Sequence, residues 1–219
     1  MKPLVIAIDG PSGAGKGTVA RAVATALDYR HVDSGAMYRA VGWKVLQLGV
    51  PLDQEDAIAA LAERSSIHVD ANCVTIDADD VTRQIRTPEI DRAAASVARL
   101  PNVRAVLVRQ QRAMGVDGGI VMEGRDIGTV VFPGADVKIY LDASAEERAR
   151  RRANDPAHSG GPATVAAVQT LLAERDRADS TRQASPLFAA ADAVIIDTTA
   201  KPIDAVVRDV LAIVQSRSL

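Results

Sequence analysis

Short apolar runs alternate with longer stretches in which apolar residues return every three or four positions, and the alternation persists along most of the chain. A strand buried on both faces reads as a continuous apolar run of roughly four to eight residues, whereas an amphipathic helix repeats at a period near 3.6. Runs of the first kind lie at 4–9, 29–33, 119–123, 137–142 and 193–197. Helical patterns occupy 19–27, 35–48, 103–114, 145–154 and 203–216. This order predicts an α/β fold whose five strands form a mostly parallel sheet flanked by helices. Most of the runs end in a carboxylate. Because ligands of such sheets bind beyond the carboxyl ends of the strands, Asp9, Asp33, Glu123 and Asp142 are expected to face the site.

Two segments interrupt the alternation. Ile67-His68-Val69 and Val74-Thr75-Ile76 flank Asp70-Ala71-Asn72, a pattern that predicts an antiparallel hairpin inside an insertion spanning about 52–100. Residues 154–164 carry Pro156, Gly160, Gly161 and Pro162 between two arginine-bearing helices, which predicts a helical lid over about 148–182. The rest (1–51, 101–147 and 183–219) forms the core of a single domain.

The first loop carries the clearest chemistry. Gly10-Pro11-Ser12-Gly13-Ala14-Gly15-Lys16-Gly17-Thr18 joins the first strand to the first helix. Glycines there let successive backbone N–H groups converge on an anion, the helix dipole adds positive potential, and Lys16 supplies a mobile ammonium. The spacing is that of a phosphate-binding loop and implies a nucleotide, ATP above all. It departs at Gly17, where Ser or Thr normally follows the lysine. The hydroxyl arrives one residue later, at Thr18, which weakens the case for a loop hydroxyl binding Mg²⁺.

Charge and cysteine content narrow the class. The 219 residues carry a formal net charge of −2, so no global positive field suggests a nucleic-acid partner. A single cysteine, Cys73, excludes an internal disulfide and suits a reducing cytoplasm. The chain enters a strand directly after Lys2-Pro3, so no secretory leader is expected, and no apolar run reaches membrane-spanning length. A monomer is expected.

Basic residues cluster locally. Arg148, Arg151 and Arg152 share one helix face, and Arg175, Asp179 and Arg182 share another, while Arg150 points elsewhere. Arginines that close over a phosphoryl group in flight stabilise its spreading charge. Asp33-Ser34-Gly35-Ala36-Met37-Tyr38-Arg39 ends the second strand and starts a helix, placing Ser34 and Arg39 at the rim of the site, with Asp33 or Ser34 as the helix cap. Glu123-Gly124-Arg125-Asp126-Ile127-Gly128-Thr129 follows the third strand. There Arg125 can fork onto a phosphate and a neighbouring carboxylate can accept from an amino group.

With these motifs in place the chain resembles the bacterial cytidylate kinases over nearly its whole length. The segments that carry the likeness are IDGPSGAGKGT, VDSGAMYR, RAAASVARLPNVRAVLVRQQR, EGRDIGTVVFP, KIYLDASAEERARRR and ERDRADSTR. The block from Arg92 to Arg112 is the most telling, because it separates this branch from adenylate and shikimate kinases. Glu123 is a variation, since many members carry Asp there. The resemblance implies the nucleoside-monophosphate-kinase fold and transfer of the ATP γ-phosphate to CMP or dCMP with Mg²⁺. It implies that Gly10 to Thr18 hold the ATP phosphates and that Lys16, with lid arginines such as Arg148 and Arg152, acts on the transferred group. It further implies that Ser96, Arg104 and Asp126 read the cytosine edge. Arg39, Arg125 and Arg182 would grip the acceptor phosphate, and Asp179, with Arg175 and Ser34, the sugar. No residue set suggests a protein-held metal, and His31, His68 and His158 need no catalytic role, since the acceptor is already ionised. The residues alone leave open a kinase for another small acceptor such as UMP or AMP, or a nucleotide-dependent switch.

Overall fold

The computed structural model describes residues 3–155 and 164–217. The expected lid loop therefore lies mostly outside the described residues, His158 included.

Five parallel strands form the central sheet: β1 (Val5–Asp9), β2 (Arg30–Asp33), β6 (Ile120–Gly124), β7 (Val137–Asp142) and β8 (Val194–Asp197), in the order β2-β6-β1-β7-β8. In β1, Ile6 and Ile8 point to one face and Ala7 to the other, and all three are fully buried. That two-sided burial is why the run reads as continuously apolar. On one face, Ile6, Ile8, Val121 and Ile139 pack with Val19 and Val23 of α1 (Lys16–Leu27) and Val206, Val210 and Val214 of α8 (Ile203–Arg217). On the other, Ala7, Val32 and Met122 pack under α2 (Ser34–Gln47) and α5 (Pro101–Met114). The order of strands turns back about β1, so the loop after β1 opens into the crevice where such sheets bind ligands.

Segment 52–100 contains more regular structure than its hairpin. It comprises α3 (Glu55–Arg64), the strands β3 (Ile67–Val69), β4 (Val74–Ile76) and β5 (Asp79–Asp80), and α4 (Pro88–Val97). The hairpin is thus two strands of a three-stranded antiparallel sheet. Its turn is fixed by the Asp70 carboxylate, which accepts from the N–H groups of Asn72 and Cys73, both at 2.8 Å. Ile58, Leu61, Ile76 and Ile85 of this segment belong to the same buried cluster as α2 and α5. The insertion is therefore packed onto the body of the protein through one continuous core.

The second arginine-rich region consists of α6 (Ala145–Ala153) and α7 (Val165–Thr181), joined by a small apolar contact of Ala149, Val168 and Leu172 that is separate from both larger cores. Ser144 caps α6 by accepting from Glu147 N–H, and Thr164 caps α7 by accepting from Ala167 N–H. The only buried apolar cluster of this pair among the described residues lies within it, so hydrogen bonds and ion pairs of arginines tie it to the body. Among the described residues no helix is long and apolar enough to cross a membrane.

Because the insertion shares its core with α2, truncation at Ile58, which is fully buried, is expected to lower the stability of the whole domain. Ile58→Ala should cost about 2–5 kcal/mol. A single denaturant transition should shift, at one midpoint for far-UV circular dichroism and for the fluorescence of Trp43 on α2. A separate early transition of the insertion would contradict the shared core.

Candidate active site

Residues 10–15 carry the chain from the end of β1 to the start of α1. Gly15 caps α1 at φ 92°, and no side chain satisfies the helix terminus. The first-turn N–H groups are thereby left to an incoming anion. Lys16 is almost fully buried and donates from Nζ to the Pro11 carbonyl at 2.8 Å, holding the loop closed on itself. Burial, and then the nearby Arg125 guanidinium, hold the Lys16 ammonium down at about 7. The structure also gives the reason for the second glycine. A Cβ on Gly17 would lie 2.9 Å from Glu123 Oε1, so the space a Ser or Thr would fill after the lysine is taken by a carboxylate.

A cleft of about 670 Å³ runs from this loop past the carboxyl ends of β2 and β6, between α4 on one side and α6 and α7 on the other. Ser12, Gly13, Gly15, Lys16, Gly17 and Thr18 line it, while Gly10, Pro11 and Ala14 form the back of the loop. Of the residues expected around the second partner, Ser34, Arg39, Arg104, Arg125, Asp126, Arg152, Arg175, Asp179 and Arg182 all line the same cleft. Asp33, rather than Ser34, caps α2, accepting from Ala36 N–H at 3.1 Å. Ser34 Oγ donates to the Glu123 carbonyl at 2.7 Å, tying β2 to β6 at the cleft floor.

Two expected residues are placed differently. Ser96 is not among the cleft-lining residues; its hydroxyl donates back to the Arg92 carbonyl at 3.2 Å, and its neighbours Ala94, Ala95 and Ala98 form the wall. The three-to-four-residue pitch of α4 explains this, since the face that presents 94, 95 and 98 turns 96 away. Arg148 is also outside the lining. Its guanidinium donates to the carbonyls of Ser12 and Ala143, both at 3.1 Å, and to Asp176 at 2.6 Å, bracing the phosphate loop from behind. Among the strand-end carboxylates, Asp33 and Glu123 reach the cleft, whereas Asp9 and Asp142 do not. Asp9 accepts from the N–H groups of Ile127 at 2.8 Å and Gly128 at 2.7 Å, and burial raises its carboxyl to about 6.

The cleft arginines are cross-wired to carboxylates of the same cleft. Arg104 donates to Asp126, and Arg182 lies 3.7 Å from both Asp126 and Asp179. Arg125 donates to Asp179 at 2.9 Å. Burial works to raise the Asp179 carboxyl, but Arg125 and Arg175 outweigh it and hold it below the usual range. Arg104 also stacks over Tyr38, 5.3 Å from the ring centroid. Three further arginines meet on Asp91 of α4: Arg39 from α2, Arg152 from α6 and Arg175 from α7. Sequence reasoning did not identify Asp91, Arg86, Tyr38 or Lys201 as part of this cleft. Asp91, Arg86 and Lys201 stand in no glycine-rich or strand-end motif, and only the fold brings them to it; Tyr38 lies within the motif that follows the second strand, where its aromatic ring gave no signal of its own.

A strand, a glycine loop and a helix N-terminus form a phosphate cradle at one end of the cleft, and arginines from four separate helices converge at the other. That pairing defines a P-loop phosphotransferase with two phosphorylated partners. Within that class, the chain belongs to the cytidylate kinase family, whose model matches residues 6–216. It is 47% identical to a cytidylate kinase of Desulfitobacterium hafniense, over 97% of this chain and 93% of that one. It is 48% identical to a cytidylate kinase of Pelotomaculum thermopropionicum, over 94% of each chain. In three dimensions it is similar to a shikimate kinase from Acinetobacter baumannii, with a TM-score of 0.50 and 16% identity over 99% of this chain and 96% of that one. That likeness concerns the fold alone.

A Lys16 amine held near 7 is largely neutral above that pH, and a bound polyphosphate restores its charge. ATP binding at about pH 8.5 is therefore expected to take up close to one proton, falling towards zero below about pH 6. Calorimetry in buffers of different ionisation enthalpy reads this directly. Lys16→Met should abolish the uptake, and equal uptake in wild type and variant would contradict the assignment.

Proposed function

We propose that this protein transfers the γ-phosphate of ATP to CMP or dCMP, yielding ADP and the pyrimidine nucleoside diphosphate. The observation that carries the reading is the convergence, in one cleft, of the phosphate loop with the Arg104–Asp126 pair. Cytosine presents an N4 amino group that a carboxylate accepts, whereas uracil presents a carbonyl there that a carboxylate repels. In this reading Asp126 and Arg104 meet the base and Arg39, Arg125 and Arg182 take the acceptor phosphate. Asp179, with Arg175 and Ser34, takes the sugar, and Lys16 lies against the transferred phosphoryl group.

The acceptor oxygen is already ionised, so no general base is needed, and catalysis comes from positioning and charge. Arg152, on the lid side, adds positive charge where the transferring group gathers negative charge. Arg148 acts one step removed, by fixing the Ser12 carbonyl and hence the loop conformation. Lining of the cleft by both the insertion at 52–100 and the arginine helices at 148–182 suits a site that closes over its two substrates and excludes water.

The residues present fit Mg²⁺. Asp33 and Glu123 are register neighbours on β2 and β6 and offer hard carboxylate oxygens beside the loop. No group of three or more His, Cys, Asp or Glu among the described residues forms a metal cage of its own. That suits a cation that keeps most of its waters and is carried chiefly by phosphate oxygens. Asp33 and Glu123 would hold it, and when bound it would neutralise charge on the donor phosphates. The burial of Asp33 works to raise its carboxyl, but Arg39, Arg86 and His31 bring it below the usual range, so it stays ionised for this task. A cytoplasmic monomer accords with one free cysteine and small nucleotide substrates.

The test is ADP release from ATP and Mg²⁺ with CMP, dCMP, UMP, AMP, GMP or no acceptor. Turnover should require CMP or dCMP. Dominant use of another nucleotide would overturn the base assignment, and turnover with no acceptor would point instead to a nucleotide-dependent switch. Lys16→Ala is expected to remove at least about 99% of kcat in a folded protein.

Asp126→Asn should lower the preference for CMP over UMP in kcat/KM by about tenfold or more. The KM for ATP should stay within about twofold. Equal loss toward both acceptors would remove Asp126 from base reading.

A further inference from the structure

Asp91 is the junction of three guanidinium groups from three helices. Arg39 of α2 donates from Nε to Asp91 Oδ1 at 3.1 Å, with Nη2 at 3.0 Å from the same oxygen. Arg152 of α6 donates to the other oxygen, Oδ2, at 2.5 Å, and Arg175 of α7 stands 3.9 Å from Oδ1. Asp155 adds negative charge near Arg152 and Asp179 near Arg175, whereas Arg104, Arg125, Arg150, Arg151 and Arg182 pair with Asp126, Asp179 or Glu147. The Asp91 carboxylate itself faces three guanidinium groups. The local excess of positive charge shows in Arg175, which burial, then Arg125 and Arg39, bring down to about 10. A site of this charge binds a phosphate dianion better than it binds a single carboxylate, because a dianion brings twice the charge and three oxygens to bidentate donors.

We propose that Asp91 is an internal competitor of the acceptor phosphate: its carboxylate holds Arg39, Arg152 and Arg175 across the cleft, and the acceptor must displace it to be gripped. This rests on the reading of Arg39 as a phosphate ligand. It makes Asp91 a positioning residue that sets acceptor affinity. By pairing Arg39 and Arg152 it also ties the insertion to the arginine helices, since α4 belongs to the first and α6 to the second. Displacement by phosphate frees both sides to rearrange around the nucleotide. A nucleoside without the phosphate lacks the charge to break the junction, so the device also favours nucleotides over nucleosides. Gly42 permits this arrangement, since a Cβ there would lie 3.1 Å from Ala94 N; its absence lets α2 and α4 approach closely enough for Arg39 to reach Asp91.

The consequence is opposite to that of an ordinary supporting residue. Apparent affinity scales with the fraction of protein whose arginines are free, so weakening the competitor raises it. In Asp91→Asn, which keeps the size but removes the charge and one of the two acceptor oxygens, the KM for CMP should fall about three- to tenfold at saturating ATP, with kcat unchanged or higher. The binding of inorganic phosphate, measured calorimetrically, should tighten by a similar factor. A KM for CMP that rises or stays the same overturns the proposal and makes Asp91 a support for Arg39. Asp91→Glu, which restores the charge, should return KM towards the wild-type value, and failure to do so would also count against competition. Arg39→Ala separates the two layers of the argument. An unchanged KM for CMP in that variant would reject Arg39 as a phosphate ligand. A raised KM in Arg39→Ala alongside an unlowered one in Asp91→Asn would reject the competition alone.

Discussion

Burying a guanidinium costs several kcal/mol unless a carboxylate accompanies it, and this cleft buries or half-buries Arg39, Arg104, Arg125, Arg152, Arg175 and Arg182 within one space. The architecture around the cleft follows from that demand. Asp126, Asp179 and Asp91 are each placed between two or three arginines, and each is contributed by a different part of the chain. Such a network holds the cations in place at tolerable energy until phosphates arrive. Charge balance in the cleft is consequently carried by these three carboxylates.

The phosphate loop obeys a related constraint at smaller scale. Lys16 turns back to the Pro11 carbonyl, Glu123 fills the space beside Gly17, and His31 stands 3.6 Å from Glu123. Glu123 is buried with Lys16 and lies against the first turn of α1. A carboxylate that long can occupy the place of the usual hydroxyl only because residue 17 has no side chain. The glycine and the glutamate are therefore one feature, although 106 positions separate them in sequence.

That coupling shows where sequence reading succeeds and where it stops. Each expected strand lies within one residue of its observed limits, because burial on both faces leaves a run that no neighbouring segment imitates. The glycine loop and the hairpin at 67–76 were legible for the same reason: their chemistry is local. What was not legible depends on partners far along the chain. Asp91 meets Arg39 across 52 positions and Arg152 across 61, and nothing in its own neighbourhood, Glu89-Ile90-Asp91-Arg92, distinguishes it from a solvated helix residue. The short strand β5 was missed because Asp79-Asp80 has neither apolar character nor alternation; pairing with Thr75 and Ile76 makes it a strand. That Ser96 lies beside the cleft-lining positions 94, 95 and 98 and not among them is a detail periodicity cannot decide without knowing which face of α4 meets the cleft.

Arg148 is the most instructive of these cases. Its spacing with Arg151 and Arg152 places all three on one face of α6, yet that face is divided between two tasks. Arg152 reaches over the cleft to Asp91, while Arg148 and Arg151 reach into the body. Arg148 holds the Ser12 carbonyl, and Arg151 donates to Thr198, whose own hydroxyl lies 3.1 Å from the Ala14 carbonyl. Both therefore attach α6 to the back of the phosphate loop through backbone carbonyls at positions 12 and 14. The same contacts anchor these helices at the phosphate loop. If the pair α6 and α7 swings, it swings about the phosphate loop itself, because its own apolar contact is too small to fix it elsewhere. Motion of these helices would then be geometrically tied to the end of the cleft that carries the phosphate loop. The arginine that spacing places at the reacting atoms is found in this structure bracing the phosphate loop from behind.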